Sequence, residues 1–388
     1  MKPLRAVRSF FSGMDHVQLL LCAACSAFGV LIVSSVTRSE IAEGAIMSRD
    51  ARTMLIAVAL GAFAAVIISV IDYSVICRLW PVIAAGCLGL MAAVFLFGVG
   101  PNERQDAKTW LAFGPIYFQP SELLKIGFAV TYAVHLERVR DTLNRPLTVL
   151  LLLIHAAVPA VIVLRSGDMG SALIFLAMAL VMLFFSGLRA AYFAGFAAAA
   201  AAAAPVAWRY VLKDLQKERI LGLIYPDRYE DIMYQQQHGM TALTSGGFTG
   251  KGLFRSTLTS DGYVPESEND MVFTAVGEEL GVLGCALAIA LLFFVVFRIF
   301  STASKCSGAE GRIMCCGVGA FIAAQSVINI GMCLRILPVI GITLPFFSAG
   351  GSSNLCVWLG IGLVLSVRRY SSLKGAKSFR LGFITEAD

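Results

Sequence analysis

Charge is scarce in this chain. Asp, Glu, Lys and Arg make up 14% of its 388 residues, hydrophobic residues make up 58%, and the mean hydropathy is +0.78. No soluble domain of this length needs so much apolar surface, so the composition implies a polytopic membrane protein. Histidine is scarcer still. His16, His135, His155 and His238 are scattered, and no HExxH or EF-hand pattern occurs, which argues against a protein-built metal site. Ten cysteines are present, but by the topology below none falls in a long outer loop, which argues against a disulfide framework. Cys22-Ala-Ala-Cys25 lies within an apolar run with no βαβ context, so both read as small core residues. No linker, internal repeat or soluble unit interrupts the chain, and residues 1–388 read as one membrane domain. The formal charge of +6 lies largely in short loops and the tail, so nucleic acid is not an expected partner.

What fills the chain instead is a series of apolar runs near 17–36, 53–71, 79–99, 119–136, 148–164, 169–186, 190–208, 271–297, 313–334 and 350–367. These predict ten transmembrane helices in an all-α fold. The first run follows Lys2, Arg5 and Arg8 as a signal peptide would. It is long enough to span and no small-residue cleavage site clearly ends it, so it reads as a retained helix. With the N-terminus inside, the cytoplasmic segments carry sixteen Lys and Arg and the short outer loops seven, which places both termini in the cytoplasm. One large extracytoplasmic segment, about 209–270, then separates the seventh and eighth helices. Its start reads as an amphipathic helix on the outer membrane face, ending near Pro226. Gly246, Gly247, Gly250 and Gly252 follow and predict a flexible or tightly turning backbone. The eight alanines at 197–204 would let the seventh helix pack closely against a neighbour.

Polar residues in or beside these runs are costly in hydrocarbon and mark candidate sites. Gln119, Pro120, Ser121, Glu122 and Lys125 open the fourth helix, with Glu122 and Lys125 neighbours on one face. They form either an internal ion pair on a capped helix or the wall of a buried polar cavity. Asp168, after Arg165-Ser166-Gly167, is either a helix cap or a functional carboxylate. From Arg335 to Ser353 the chain is broken by Pro338, Gly341 and Pro345. Ser348, Gly350, Gly351, Ser352 and Ser353 then offer a helix N-terminus suited to an oxyanion. Asp270 follows the acidic turn Glu266-Ser267-Glu268-Asn269 where water gives way to lipid. It is either the cap of the eighth helix or a base whose pKa is raised by like charge and partial burial. Glu278 and Glu279 lie roughly 12 Å deeper and are expected to pair with Lys125 or Arg335. The Ser245-GGFTGKG string fails as an ATP phosphate loop, because Ser opens it and Gly252 follows Lys251.

Taken together, these strings resemble the SEDS proteins (shape, elongation, division and sporulation), the group of RodA, FtsW and SpoVE. The resemblance rests on Ala107-Lys108-Thr109-Trp110 with QPSELLK, Gly167-Asp168-Met169-Gly170, SGGFTGKGLF with VPESENDMVFTAVGEELG, and NIGMCLRILPVIGITLPFFSAGGSS. It covers most of residues 95–368, and FGPIYFQPSE and LVLSVRRY lean toward the RodA branch. The resemblance implies an inverting peptidoglycan glycosyltransferase of the bacterial cytoplasmic membrane, at work in cell elongation, shape or division. Such enzymes polymerise lipid II at the outer face, release undecaprenyl pyrophosphate and partner a class B penicillin-binding protein. It places the essential aspartate of a Pro-Glu-x-x-x-Asp string on Asp270, with Pro265 and Glu266 opening it. It also places Lys108, Trp110 and Lys251 in its recurring strings. Departures from the pattern are Asp106 and Arg335 for glycine, Glu268-Asn269 for His-Thr, Met271-Val272 for aromatic-Ile, Thr343 for proline and Ala349 for tyrosine.

On this reading Asp270 takes a proton from a sugar 4-hydroxyl. Lys125, Arg335 or the N–H groups of residues 350–353 stabilise the departing pyrophosphate, with no tightly bound cofactor and with or without a divalent cation. Mobility at glycines 246–252 would let the loop close over substrate. The rival readings are a flippase for the lipid-linked precursor and a non-catalytic scaffold for the penicillin-binding protein.

Overall fold

A computed structural model describes residues 14–41, 45–100, 108–114 and 116–385. Asp106, Ala107 and the basic start of the chain lie outside the described residues. Helices occupy all ten predicted runs: α1 (His16–Val36), α2 (Arg49–Val70), α4 (Trp80–Phe97), α5 (Pro120–Arg138), α6 (Pro146–Arg165), α7 (Met169–Phe185), α8 (Ala190–Tyr210), α11 (Val272–Lys305), α12 (Ala309–Cys333) and α13 (Gly351–Thr385). In hydrocarbon every backbone N–H and C=O must be paired within the protein, and an apolar run of this length does so as a helix. Eight of these helices are long and apolar enough to cross a membrane, whereas α7 has 17 residues and α5 is too polar. The polarity of α5 is tolerable because α4, α6, α7, α12 and α13 surround it, and most of its side chains, including Glu122 and Lys125, are buried. Both cysteines of the Cys-Ala-Ala-Cys string are fully buried, as core residues would be.

Three features depart from the expected all-α pattern. A short helix, α3 (Tyr73–Arg78), sits between α2 and α4. Strands β1 (Leu111–Phe113) and β2 (Ile116–Phe118) pair antiparallel just before α5, with Leu111 opposite Phe118. The outer segment also holds two helices where one was expected. The amphipathic α9 (Asp214–Ile224) stops ahead of Pro226, as its sequence predicts, but α10 (Glu230–Ser245) follows with only four residues buried. Its buried face, Met233, Gln236, Gly239 and Ala242, includes a glutamine and a glycine and so gives a weak apolar signal, and the helix is held by packing on α9, α11 and α12.

Two packing expectations fail. The alanines at 197–204 are exposed, and no residue of α8 is buried, so close packing of that helix is not seen among the described residues. The glycine loop is packed rather than loose. α11 has 34 residues but is broken at Gly281 (φ 63°, ψ −159°), and the loop's backbone fills the break. Lys251 N–H donates to Glu278 C=O (3.0 Å) and Gly252 N–H to Glu279 C=O (2.8 Å), while Val282 N–H donates to Gly247 C=O (3.0 Å). A Cβ on Gly246 would stand 1.9 Å from Gly277 C=O, and one on Gly250 2.1 Å from Glu279 C=O. Of the flexible or tightly turning backbone that was expected, the glycines here give the second, with close backbone approach.

Candidate active site

The acidic turn that opens α11 is fixed by its backbone. Met271 N–H donates to Glu266 C=O (2.9 Å), and Glu266 itself has φ 55°. Ala349 N–H donates to Glu268 C=O (2.9 Å) and the Ser348 hydroxyl to Asn269 C=O (2.7 Å). The buried Asn329 of α12 gives one N–H to Asp270 C=O (2.8 Å) and the other to Ile342 C=O (2.7 Å). One asparagine thus clamps the turn to the broken segment after α12. Ser348 is consumed in the same clamp, since Leu344 N–H also donates to its hydroxyl (2.7 Å).

The Asp270 carboxylate takes no part in capping. The N-cap of α11 is Met271, and no side chain caps that helix end. Asp270 is half-buried beside Gly341, where a Cβ would make ordinary contact with its Oδ2 at 3.6 Å and where the φ of 72° is what calls for glycine. Burial pushes its pKa up to about 7, helped by the like charges of Glu266 and Glu268 and by Asp168, with Arg219 pulling the other way. Burial likewise lifts Glu268 to about 7, with Glu266, Asp50 and Glu40 adding to it. A cavity of about 400 Å³ lies beside this turn, with Glu40, Asp261, Pro265, Glu266 and Glu268 in its wall.

Three of the sequence clusters meet through hydrogen bonds. Asp168 does cap α7, accepting from Ser171 N–H at 2.8 Å. Its other oxygen accepts from Gln119 Nε2 (2.9 Å) and from the Ser121 hydroxyl (3.1 Å). Gln119 N–H donates to Ser352 Oγ (3.0 Å), and Ser353 Oγ lies 2.9 Å from Thr343 Oγ1. The first turn of α5, the cap of α7 and the start of α13, where Gly350 leads into Gly351, therefore form one polar wall. Deeper in that wall the Lys125 ammonium donates to Glu122 Oε1 at 2.7 Å and lies 4.9 Å from the Phe321 ring centre. Both residues are buried, and the second Glu122 oxygen has no hydrogen-bond partner among the described residues. Of the two alternatives, the internal ion pair is the one seen among the described residues.

The expected partners of Glu278 and Glu279 are wrong. Glu278 pairs with Lys251 (2.6 Å) and accepts from the N–H groups of Thr257, Leu258 and Thr259. Glu279 accepts from the hydroxyls of Ser35 and Ser256. Both sit on the short turn of α11 before the Gly281 break, where the outer loop folds over them and satisfies them before Lys125 can. Lys251 is thereby a structural anchor. Arg335, on the far side of α12, makes no side-chain hydrogen bond or ion pair among the described residues. Its φ of 56° follows from the turn that ends α12, a conformation that favours the glycine common there. Lys108 is exposed, and Trp110 is held by a backbone bridge to Val99 at the foot of the hairpin.

Sequence reading missed Arg219, Asn329, Gln236 and Gly341. Arg219 is one of several charges on an amphipathic helix and looked solvated, yet its Nη1 donates to Val339 C=O at 2.7 Å. Gln236 of α10 grips the same segment through Met332 and Leu337 carbonyls, each at 2.8 Å. Among the described residues no group of three His, Cys, Asp or Glu side chains is placed to hold a metal ion.

Comparison with known proteins finds relatives over most of the chain. The family model described as cell cycle protein, covering FtsW, RodA and SpoVE, matches residues 15–373. The chain is 28% identical over 364 residues to the peptidoglycan glycosyltransferase MrdB of Escherichia coli K12, covering 93% of this chain and 95% of that one. It is 30% identical over 377 residues to a probable peptidoglycan glycosyltransferase FtsW of Geobacter sulfurreducens, covering 93% and 96%. Among solved structures, a chain from work on how a peptidoglycan synthase complex coordinates polymerization and crosslinking superposes with a TM-score of 0.78. It shares 26% identity, covering 92% of this chain and 98% of that one. The rod shape determining protein RodA of Thermus thermophilus superposes at 0.65 with 25% identity, covering 92% and 97%.

Proposed function

This chain belongs to the FtsW, RodA and SpoVE family, and from that premise we propose that it is a peptidoglycan glycosyltransferase polymerising lipid II at the outer face of the membrane, with Asp270 as its general base. The observation that carries the assignment of the base is a carboxyl spent on no cap, half-buried beside Gly341, with a pKa raised to about 7. Such a group is half ionised near neutral pH, where a base both accepts a proton and drives its transfer.

Asp270 takes the proton of the 4-hydroxyl of one lipid-linked saccharide. That oxygen forms a bond to the anomeric carbon of the growing strand as the bond from that carbon to the lipid pyrophosphate breaks, which inverts the centre. The leaving group needs no general acid, because a pyrophosphate is already a weak base; it needs compensation of negative charge. Lys125 and the N-terminal turn of α13 after Gly350 are the groups of this chain suited to that, with or without a divalent cation arriving with the substrate. Arg335 is the less apt cation, since it faces away at the end of α12. Gln119, Ser121 and Asp168 position the wall from which Lys125 acts. The chain is multi-pass, and its Lys and Arg bias supports a cytoplasmic location for both ends. Its likeness to a chain from work on a peptidoglycan synthase complex that coordinates polymerization and crosslinking supports a crosslinking partner, the class B penicillin-binding protein that the family resemblance implies.

The test is glycan synthesis from purified lipid II, followed by gel, with and without the partner. Asp270→Asn is expected to abolish polymer while leaving the detergent-solubilised protein folded. Polymer at wild-type length and rate from that variant would refute the base. Polymer formation in detergent also separates this reading from a flippase, which has no membrane to cross there.

A further inference from the structure

The helices of the outer segment have no role in the reading above, yet the Arg219 side chain of α9 reaches the broken segment that lies beside Asp270. Arg219 lies on α9 in a cleft walled by Gly167 and Met169, which flank Asp168, and by Pro338 and Ile340 of the broken segment. Its Nη1 donates to Val339 C=O (2.7 Å), two residues before the Gly341 that borders Asp270 Oδ2. The segment cannot shift against Asp270 without disturbing that bond, and the guanidinium acts electrostatically on the Asp270 carboxyl.

We propose that Arg219 is the positioning residue for Asp270: from the outer-loop helix α9 it holds the wall beside the base and sets a positive charge on that side of it. This rests on the reading of Asp270 as the general base. The groups facing Asp270 are Glu266 and Glu268 from its own turn, Asp168 from the start of α7, Cys333 from α12, whose thiol lies 3.6 Å from Asp270 C=O, and Arg219 from α9. Three of these are carboxylates that oppose ionisation, and Arg219 is the cation set against them. A chain fold that brings three like charges to a base needs such a counter-charge for the base to work near neutral pH.

The experiment is the pH profile of kcat/KM for lipid II polymerisation, with Asp270→Asn as the assignment control. Neutralising Arg219 with Arg219→Gln is expected to move the acid limb upward by about half a pH unit or more. Activity should fall at least about threefold at pH 6 and recover at pH 9, with KM little changed. Arg219→Lys, which keeps the charge, is expected to keep the wild-type limb. An unmoved limb with uniform loss at every pH would assign Arg219 a purely structural role. A raised KM without a moved limb would assign it to substrate phosphate. Either result overturns the proposal. Infrared titration of the carboxyl band that disappears in Asp270→Asn gives a readout independent of turnover. That band should titrate at higher pH in Arg219→Gln than in wild type, and coincident titrations would sink the proposal even if the protein failed to polymerise lipid II.

Discussion

At the scale of single residues, the acidic turn that opens α11 holds the proposed base at a cost in stability. Asp270 titrates near 3.8 in an unfolded chain and about 7 in the folded one, because burial and neighbouring carboxylates disfavour its charge. Between those values the native state holds more protons than the unfolded state, so this group's contribution to stability falls as pH rises from about 4 to 7. Asp270→Asn removes the penalty. The variant should therefore be more stable than wild type at pH 8, by at most about 4 kcal/mol and less where solvent screens the carboxyl, with the gap closing near pH 4. Thermal unfolding in detergent at the two pH values measures this, and equal melting temperatures at pH 8 would contradict a strained base. Of these residues Asp270, Asp168, Gln119, Ser121, Glu122 and Lys125 were legible in the sequence, because a charged or amide side chain beside an apolar run is conspicuous. Arg219 and Gln236 were not, since on a polar helix one more polar residue carries no signal. Gly341 was read only as a helix breaker, with nothing to say which carboxyl it borders.

Among the elements, α11 is the one whose sequence misleads. Its apolar run reads as a single helix, and Glu278 and Glu279 then look like charges in search of a cation within the bundle. The break at Gly281 puts them instead under the outer loop, where Lys251, Ser35, Ser256 and four backbone N–H groups satisfy them. Helix pattern cannot show this, because a glycine within a membrane helix is common and only its neighbour decides whether it bends. Gly281→Ala tests the element directly. At φ 63° a Cβ costs about 1–2 kcal/mol from conformation alone, and the loop backbone 2.5 Å from where that Cβ would sit adds to it. The variant should melt lower and lose activity with it, whereas Gly86→Ala, whose Cβ would meet nothing within 4 Å, should melt as wild type. The placing of the helices along the chain was legible because length and hydropathy dictate it, and eight of them are long and apolar enough to cross a membrane. Helix α10 and the β1–β2 hairpin were not, because packing rather than periodicity holds them.

For the whole molecule, the outer segment and the membrane bundle form one folded body. Helices α9 and α10 grip the broken segment through Arg219 and Gln236, and the glycine loop completes α11. Hydrogen exchange should therefore show slow amides at Lys251, Gly252 and Thr257 to Thr259 in the absence of substrate, as slow as those in the apolar helices. Fast exchange there would mean that the loop opens freely and would support gating by the glycines.

The stitching of residues 247–252 into α11 also bears on how the protein is made. The loop leaves the ribosome before α11 does, yet the two acidic turns of that helix have no shelter until the loop has folded over them. Insertion of this span thus waits on a surface outside the bilayer, and its final seating is a late event in biogenesis. Defects in the loop would then appear as failed maturation and proteolysis in the cell rather than as slow catalysis.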